Sequence, residues 1–353
     1  MSTDRLPRLG AAPVELTRGR GPLLRALARP SLPAVIGLVV VVAFFGVRAP
    51  ALLTSGGLAG VLDVAAVLGI GAVAVSLLLI AGQFDLSIGV LGVASSLVTA
   101  LLIGHAGWGA WPALAASLGV ALFVGLVNGL LVVSTGLPSF LVTLATFLVL
   151  QGTSQAAVQG VAGSARIADL DGAPGWESAS AVFGATLQLG DGRFRVSLLW
   201  WLAATAVASW ALWRTRFGNA IFASGGARRA ARQLGVPVRN TTLVLFCLSA
   251  TAGWLLGTLA LIRLQSVQVG VAGLTTGVEF IVVAVIGGCL LTGGYGSAVG
   301  AAVGALLYAV ARQGITLAGW DAPWFQALLG VLLLVALLAN GVVRRRLKAV
   351  PRS

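Results

Sequence analysis

The sequence of 353 residues contains few of the side chains on which catalytic and metal sites are built. It has one histidine, two cysteines, ten acidic residues and a single lysine. That lysine, Lys348, follows Leu347 rather than a glycine, so the chain lacks the GxxxxGK[ST] loop that holds nucleotide phosphates in many ATPases. His105 has no cysteine or carboxylate near it in sequence, and Cys247 and Cys289 both fall in apolar segments. We therefore expect no catalytic site, no metal site and no cofactor.

Charged residues are also scarce, at 9% of the chain, whereas hydrophobic residues make up 58% and the mean hydropathy is +1.00. A water-soluble fold could not place this composition on its surface, so we predict an all-α, polytopic bundle of transmembrane helices. Glycine-rich junctions blur the ends of some apolar segments, which gives eight to ten spans, with ten as the working number. The predicted spans are residues 33–47, 58–80, 86–103, 110–135, 139–162, 197–213, 242–262, 278–292, 297–312 and 323–340.

The basic residues define the predicted topology. Residues 1–32, 214–240 and 341–353 hold six, six and five of the 23 lysine and arginine residues. These segments are therefore predicted to be cytoplasmic, with both termini inside and residues 33–340 forming the transmembrane domain. The first apolar stretch has no clear cleavage site and is interpreted as an uncleaved helix. The net charge of +13 does not indicate nucleic-acid binding, because the arginines cluster at the ends of apolar segments.

The loop at 214–240 contains the pattern of a short amphipathic helix. Gly225 and Gly226 precede the pattern, and Gly235 and Pro237 end it. At about ten residues it is too short to span a bilayer, and it suits docking of a soluble partner. A basic loop at the membrane surface is an equal alternative. The apolar stripe consists of Ala227, Ala230, Ala231 and Leu234, and the arginines beside it are Arg228, Arg229 and Arg232.

Three carboxylates fall at or near membrane depth, where an ionisable group is costly enough to need a partner or a role. They are Asp63, Asp85 and Glu279. None of them has a second buried charge beside it in sequence, so a proton or sodium pathway is the weaker interpretation. Asp85 also has a structural alternative, because its carboxylate can cap the helix that follows it.

Three apolar segments, at residues 78–90, 125–148 and 278–307, are interrupted by polar residues, glycine or proline. Irregular backbone at membrane depth is tolerated only where it faces protein or a water-filled cavity, so each interruption is a candidate part of a solute pathway. Asn128 can instead bond to a neighbouring helix, and the spacing of Gly296, Gly300 and Gly304 predicts a smooth face for helix packing. The candidate pathway residues are Asp85, Ser87, Asn128, Phe140, Thr143, Glu279, Gly287 and Gly288.

Four motifs, in this order, make the chain similar to the permease subunits of ATP-binding-cassette importers of the ribose, xylose and arabinose branch. They are GQFDLSIG at 82–89, PSFLVTL at 138–144, RFGNAIFASGGARRAARQLGV at 216–236 and GVEFIVVAVIGGCLLTGGYG at 277–296. The resemblance covers roughly residues 50–340. The chain departs from it at Gly226 and Arg228, where the family usually has asparagine and an acidic residue, and at Gln83 and Phe84, where it has Gly-Ile.

The resemblance implies a membrane subunit that has no ATPase site of its own and performs no chemistry on its solute. It implies a homodimer or a pair of like permeases, ATPase subunits docked on the cytoplasmic face, and a binding protein that delivers solute from outside. The loop at 214–240 would then be the coupling loop, and the membrane domain would contact lipid. The residues expected to contact the ATPase are Gly226, Ala227, Arg228, Arg229, Ala230, Ala231, Arg232 and Gly235.

We therefore expect import of a monosaccharide or a related polyhydroxylated solute. Scattered Asn, Gln, Ser and Thr side chains are sufficient to bind hydroxyl groups weakly along a path. An ion-coupled secondary transporter that uses Asp85 or Glu279 is the alternative. An integral membrane enzyme is disfavoured, because the sequence lacks clusters of His, Cys and carboxylate residues.

Overall fold

Apolar helices form almost all of the secondary structure, as the composition predicts. The structure, a computed structural model, describes residues 31–162, 166–167, 170–269 and 273–348. Most of the predicted N-terminal cytoplasmic segment and the last five residues of the predicted tail lie outside the described residues. Among the described helices, six are long and apolar enough to cross a bilayer, and three shorter apolar helices accompany them. The predicted class, an all-α membrane bundle, is confirmed.

The helices alternate with short connections, and two small antiparallel sheets complete the fold. A 3-10 turn at Pro50–Leu53 joins the first two helices. Strand β1 (Arg166–Ile167) pairs with β4 (Val267–Gln268), and β2 (Thr186–Leu189) pairs with β3 (Gly192–Arg195). The α-helices are α1 (Leu32–Arg48), α2 (Ser55–Ile80), α3 (Ile88–Gly104), α4 (Ala110–Thr135), α5 (Ser139–Ala162), α6 (Trp176–Phe183), α7 (Ser197–Arg214), α8 (Arg216–Gly226), α9 (Arg228–Gln233), α10 (Val238–Leu264), α11 (Gly273–Ile286), α12 (Ala298–Leu317) and α13 (Ala322–Lys348).

The predicted span at 278–292 is wrong at its C-terminal end, which extends six residues beyond the helix. Helix α11 ends at Ile286, and the chain continues as an irregular segment to Ser297. Gly288, Gly293 and Gly294 have φ angles of 96°, 80° and 77°, which side chains with a Cβ atom rarely adopt. The glycine-rich sequence therefore ends the helix and forms a turn. Helix α6 and the β2–β3 hairpin were not predicted at all.

Helix α2 lies at the centre of the bundle. Every residue from 68 to 81 is buried, and the helix packs against α7, α10, α11 and α12. Its first residue, Ser55, lies against Gly192 of the hairpin, and its last residue, Ile80, accepts a hydrogen bond of 2.8 Å from the Gly294 backbone N–H. We call the first of these ends the hairpin end and the second the α8 end, because Gly225 of α8 also lies against Ile80.

Glycine allows the central helices to approach closely. A Cβ atom at Gly257 of α10 would overlap the backbone of Gly92 on α3. On α12, Gly300 lies in the same way against Gly287, just after α11, and Gly304 lies against Val283 of α11. Part of the predicted smooth face is therefore present. The predicted inclusion of Gly296 is wrong, because this residue precedes α12 and belongs to the turn.

We expect Gly257→Ala to destabilise the protein by about 1–3 kcal/mol, because the new methyl group meets rigid backbone rather than a movable side chain. The midpoint of thermal unfolding in detergent micelles is the measurement. Gly119→Ala in α4 is the matched control, since a Cβ atom there meets nothing within 4 Å. A midpoint for Gly257→Ala equal to that of Gly119→Ala would contradict the proposed close packing.

Candidate functional site

The connection between α2 and α3, residues 81–87, leaves backbone N–H groups without helical partners inside the bundle. Side chains of α5 accept two of them: the Phe84 N–H donates to Ser139 Oγ at 2.9 Å, and the Leu86 N–H donates to Thr143 Oγ1 at 3.1 Å. Buried backbone groups without a partner are costly in an apolar environment. The polar residues of the PSFLVTL motif therefore support the break in the neighbouring segment.

Asp85 holds this connection in place. Its side chain is 2% exposed, and its Oδ1 accepts hydrogen bonds from the Ser87 N–H at 2.8 Å and from Ser87 Oγ at 2.6 Å. Its Oδ2 accepts a hydrogen bond of 2.7 Å from Ser249 Oγ on α10. The sequence analysis predicted that Asp85 caps α3. The carboxylate instead accepts the N–H of Ser87, the residue just before the helix, and no side-chain hydrogen bond caps the first turn.

Asn128 extends the same network to α4 and α5. Its Nδ2 donates to Ser87 Oγ at 3.1 Å, and its Oδ1 accepts a hydrogen bond of 2.6 Å from Thr146 Oγ1. The amide thus bonds to two neighbouring segments, as the packing alternative for this residue predicts. Its role in a solute pathway stays a prediction.

The other candidate pathway residues do not join this network. Phe140 is 45% exposed on α5, whereas Glu279 is half-buried on α11 and interacts electrostatically with Tyr308 of α12. Gly287 and Gly288 lie just after α11, where Gly287 contacts α12. The structure therefore brings together Asp85, Ser87, Asn128 and Thr143, and it leaves the remaining four at other places in the bundle.

Three segments far apart in sequence meet at the α8 end through their backbones, at a contact that we call the glycine junction. A Cβ atom at Gly225 of α8 would overlap the Ile80 carbonyl oxygen and lie 2.6 Å from the Gly294 nitrogen. A Cβ atom at Gly293 would lie 3.0 Å from Cα of Gly82. The junction therefore joins α8 directly to both helix breaks, at residues 81–87 and 287–297.

Helix α9 follows the glycine junction and is largely exposed. It is shorter than predicted, at six residues, and of the predicted apolar stripe only Ala231 is buried. Ala227 and Ala230 are exposed, and Leu234 just after the helix is 84% exposed. Arg229 and Arg232 are exposed as well, so this end of the protein presents both apolar and basic groups to its surroundings.

Arg228 differs from its neighbours because it is half-buried. Its Nε is buried and has no hydrogen-bond partner within the described part of the chain. Burial and the adjacent charge of Arg232 lower the pKa of Arg228. The guanidinium is therefore a half-buried cation near an exposed surface, where an acceptor from another molecule would stabilise it.

At the hairpin end, Asp63 forms ion pairs with two arginines that are far from it in sequence. Asp63 Oδ2 lies 2.8 Å from Arg263 Nη1 of α10 and 3.4 Å from Arg195 Nε of β3. These partners are about 130 and 200 positions away in the chain, so local spacing gave no signal for them. The three residues line a cavity of about 240 Å³, which the sequence analysis did not predict.

A second cavity of about 200 Å³ adjoins the first one. Both are lined by Val67 of α2 and by Leu256 and Ala260 of α10. The second cavity extends to Ile88 and Gly89, in the first turn of α3. The two cavities therefore form a series that runs from the hairpin end to the start of α3.

Comparisons with known proteins identify relatives over most of the chain. Residues 57–337 match the family of branched-chain amino acid transport system permease components. The chain is 29% identical to the fructose import permease of Rhizobium meliloti over 324 residues, which cover 89% of this chain and 87% of that protein. It is 29% identical to the ribose import permease of Escherichia coli, covering 87% of this chain and 92% of that protein. It is 30% identical to a probable ABC transporter permease of Sinorhizobium fredii, covering 99% of this chain and 100% of that protein. No solved structure matches the chain.

We expect Asp85→Ala to lower the free energy of unfolding by about 2–4 kcal/mol, because three buried donors lose their acceptor. Asp85→Asn should cost less, because it retains one acceptor oxygen. Thermal unfolding in detergent measures both, with Asp191→Ala on the exposed hairpin turn as the control. An Asp85→Ala variant as stable as the control would show that the network does not support the fold.

Proposed function

Because this chain belongs to the family of branched-chain amino acid transport system permease components, we propose that it is the membrane-spanning subunit of an ATP-driven importer for a monosaccharide or a related polyhydroxylated solute. The solute class rests on relatives named as fructose, ribose and galactose import permeases. The galactose relative covers a smaller share of this chain, 64%. The same relatives are the reason to prefer this function to an ion-coupled transporter that uses Asp85 or Glu279.

The proposed arrangement places the α8 end in the cytoplasm and the hairpin end outside. Ten helices would then cross the membrane: α1 to α5, α7, and α10 to α13. Residues 1–32 and 341–353 would both be cytoplasmic, in agreement with the distribution of arginines. The partners are an ATPase subunit, an extracytoplasmic solute-binding protein and a second permease chain, all within the lipid bilayer or at its surface.

The glycine junction is the observation that carries the proposal. Helix α9 presents exposed Ala230, Arg229 and Arg232 to a docked ATPase, and it follows directly on α8, whose Gly225 contacts both helix breaks. A displacement of α9 would move α8, and backbone contacts alone would transmit that movement to residues 81–87 and 287–297. We propose Gly226, Ala227, Arg228, Ala231 and Gly235 as further residues of the coupling surface. The pathway residues proposed from the sequence are retained.

Reconstitution tests the proposed function. Proteoliposomes that contain this chain, its ATPase and its binding protein should accumulate a sugar only when ATP is supplied on the ATPase side. An uncoupler that leaves ATP intact should not prevent the uptake. Accumulation against a gradient by this chain alone would overturn the proposal, and so would uptake that follows a proton or sodium gradient.

We expect Arg229→Glu combined with Arg232→Glu to reduce copurification of the ATPase at least about tenfold, because two exposed cations of the docking helix become anions. Membrane insertion should be unchanged. The charge-matched control is Arg48→Glu combined with Arg193→Glu, two exposed arginines outside the proposed coupling surface. Copurification at the level of this control would contradict docking on α9.

We expect Gly225→Ala to keep the ATPase bound but to reduce ATP-driven uptake about tenfold or more. The new methyl group would overlap the backbones of Ile80 and Gly294, at a cost of about 1–3 kcal/mol, and would push α8 away from α2 and from the turn that contains Gly294. Gly119→Ala in α4 is the control, since it lies outside the proposed coupling surface and a Cβ atom there meets nothing within 4 Å. Equal uptake by the two variants would show that the glycine junction does not transmit the movement.

A further inference from the structure

We propose that the cavity at the hairpin end is a solute-binding site, in which Asp63 and Ser197 bind hydroxyl groups of a monosaccharide. This inference rests on the proposed function and names where the solute would first be held. The cavity has a volume of about 240 Å³ and is formed by α2, the end of α6, the start of α7 and the last turns of α10. A space of this size exceeds that of a single water molecule several times, at about 30 Å³ for each water.

Two polar atoms at this cavity have no partner in the described part of the protein. Both cations that contact Asp63 approach its Oδ2, whereas its Oδ1 is buried and accepts no hydrogen bond. Ser197 is 5% exposed, and its Oγ is also buried without a partner. Buried polar groups are nearly always hydrogen-bonded, and these two belong to residues that line one cavity. A ligand in this cavity would supply the partners that the described part of the protein does not.

The chemistry of these groups defines the ligand. Asp63 Oδ1 can only accept, so the ligand must donate a hydrogen bond, which excludes a solute that carries acceptors alone. The Ser197 hydroxyl can donate or accept, and the partly exposed Arg195 and Arg263 have further N–H groups. An acceptor, a hydroxyl and guanidinium donors together match neighbouring hydroxyl groups, each of which both donates and accepts.

The rest of the wall is apolar. Phe183 lines the cavity, and its ring stacks on Trp200 with centroids 5.5 Å apart and an angle of 11° between the rings. Leu256, Leu259 and Ala260 of α10 line the cavity as well. A monosaccharide has C–H groups beside its hydroxyl groups, so it can contact such a wall while its hydroxyl groups face the polar residues.

The position of the cavity fits a step in transport. Arg263 is 43% exposed at the hairpin end, which the proposed topology places outside the cell. From there the shared lining residues Val67, Leu256 and Ala260 lead to the second cavity at the start of α3. A solute released at the hairpin end would therefore meet Asp63 before it reached the helix break.

Equilibrium binding to the permease–ATPase complex in nanodiscs, without the binding protein, tests the inference. Radiolabelled ribose, fructose and galactose are the probes, with leucine as the comparison. We expect Ser197→Ala to weaken sugar binding about tenfold, because one hydrogen bond to the solute is lost. Its thermal stability without sugar should not fall, since the removed hydroxyl has no hydrogen-bond partner among the described residues. Asp63→Asn should weaken binding at least as much.

Two variants serve as matched controls. Ser209→Ala removes another buried, unpartnered hydroxyl of α7 that does not line the cavity, and Asp191→Asn neutralises an exposed carboxylate of the hairpin. Both should bind sugar as the wild type does. If the wild-type complex transports sugar but binds none measurably, or if Ser197→Ala and Asp63→Asn bind it normally, the cavity assignment is overturned and the proposed function stands. Binding of leucine in place of all three sugars would overturn both.

Discussion

Backbone groups that leave a helix inside a bilayer find no water, and the arrangement of this protein depends on how those groups are satisfied. Helix α2 is buried on all sides from Leu68 to Ile80, and the seven residues that follow it are not helical. The freed N–H groups of that break donate to Ser139 and Thr143 of α5, and the Ile80 carbonyl accepts from the Gly294 N–H. A break in one segment therefore fixes the positions of α5 and of the glycine-rich turn after α11.

The same requirement explains why the two helix breaks, at residues 81–87 and 287–297, are in direct contact with each other and with α8. Backbones can meet at hydrogen-bond distance only where no Cβ atom stands between them, which is why glycine occupies position 225 in α8 and positions 293 and 294 in the turn. Backbone-to-backbone contacts cannot be absorbed by a change of side-chain rotamer, in contrast to contacts between long side chains. A movement of α8 must consequently displace both breaks or open a gap among buried polar groups. This property makes the α8 end suited to transmit a movement of a docked protein to the two helix breaks.

Most of the helices could be predicted from the sequence, because a long apolar segment that crosses a bilayer forms an α-helix. The span at 110–135 matches α4. The contacts that define the sites were beyond such reasoning. Asp63 meets Arg195 and Arg263 only after α2, the hairpin and α10 have packed, and nothing periodic in the sequence links these residues. The hairpin itself carried a local signal, the turn pair Gly190–Asp191 between Leu189 and Gly192. The search for long apolar segments overlooked this signal.

Asp85 is buried and Asp63 is partly buried, and the two carboxylates differ in how many of their oxygens accept hydrogen bonds. This difference indicates which of them supports the fold and which can bind a solute. Asp85 uses both oxygens, because three donors from Ser87 and Ser249 already occupy them. A solute hydroxyl could bind there only by displacing a protein donor, and the exchange would bring little net free energy. Asp63 has both cations on one oxygen, and its other oxygen accepts no hydrogen bond within the described part of the chain. A hydroxyl that reaches this oxygen adds a bond without breaking one, so of the two carboxylates Asp63 is better suited to bind a passing solute and Asp85 to hold the helix break still.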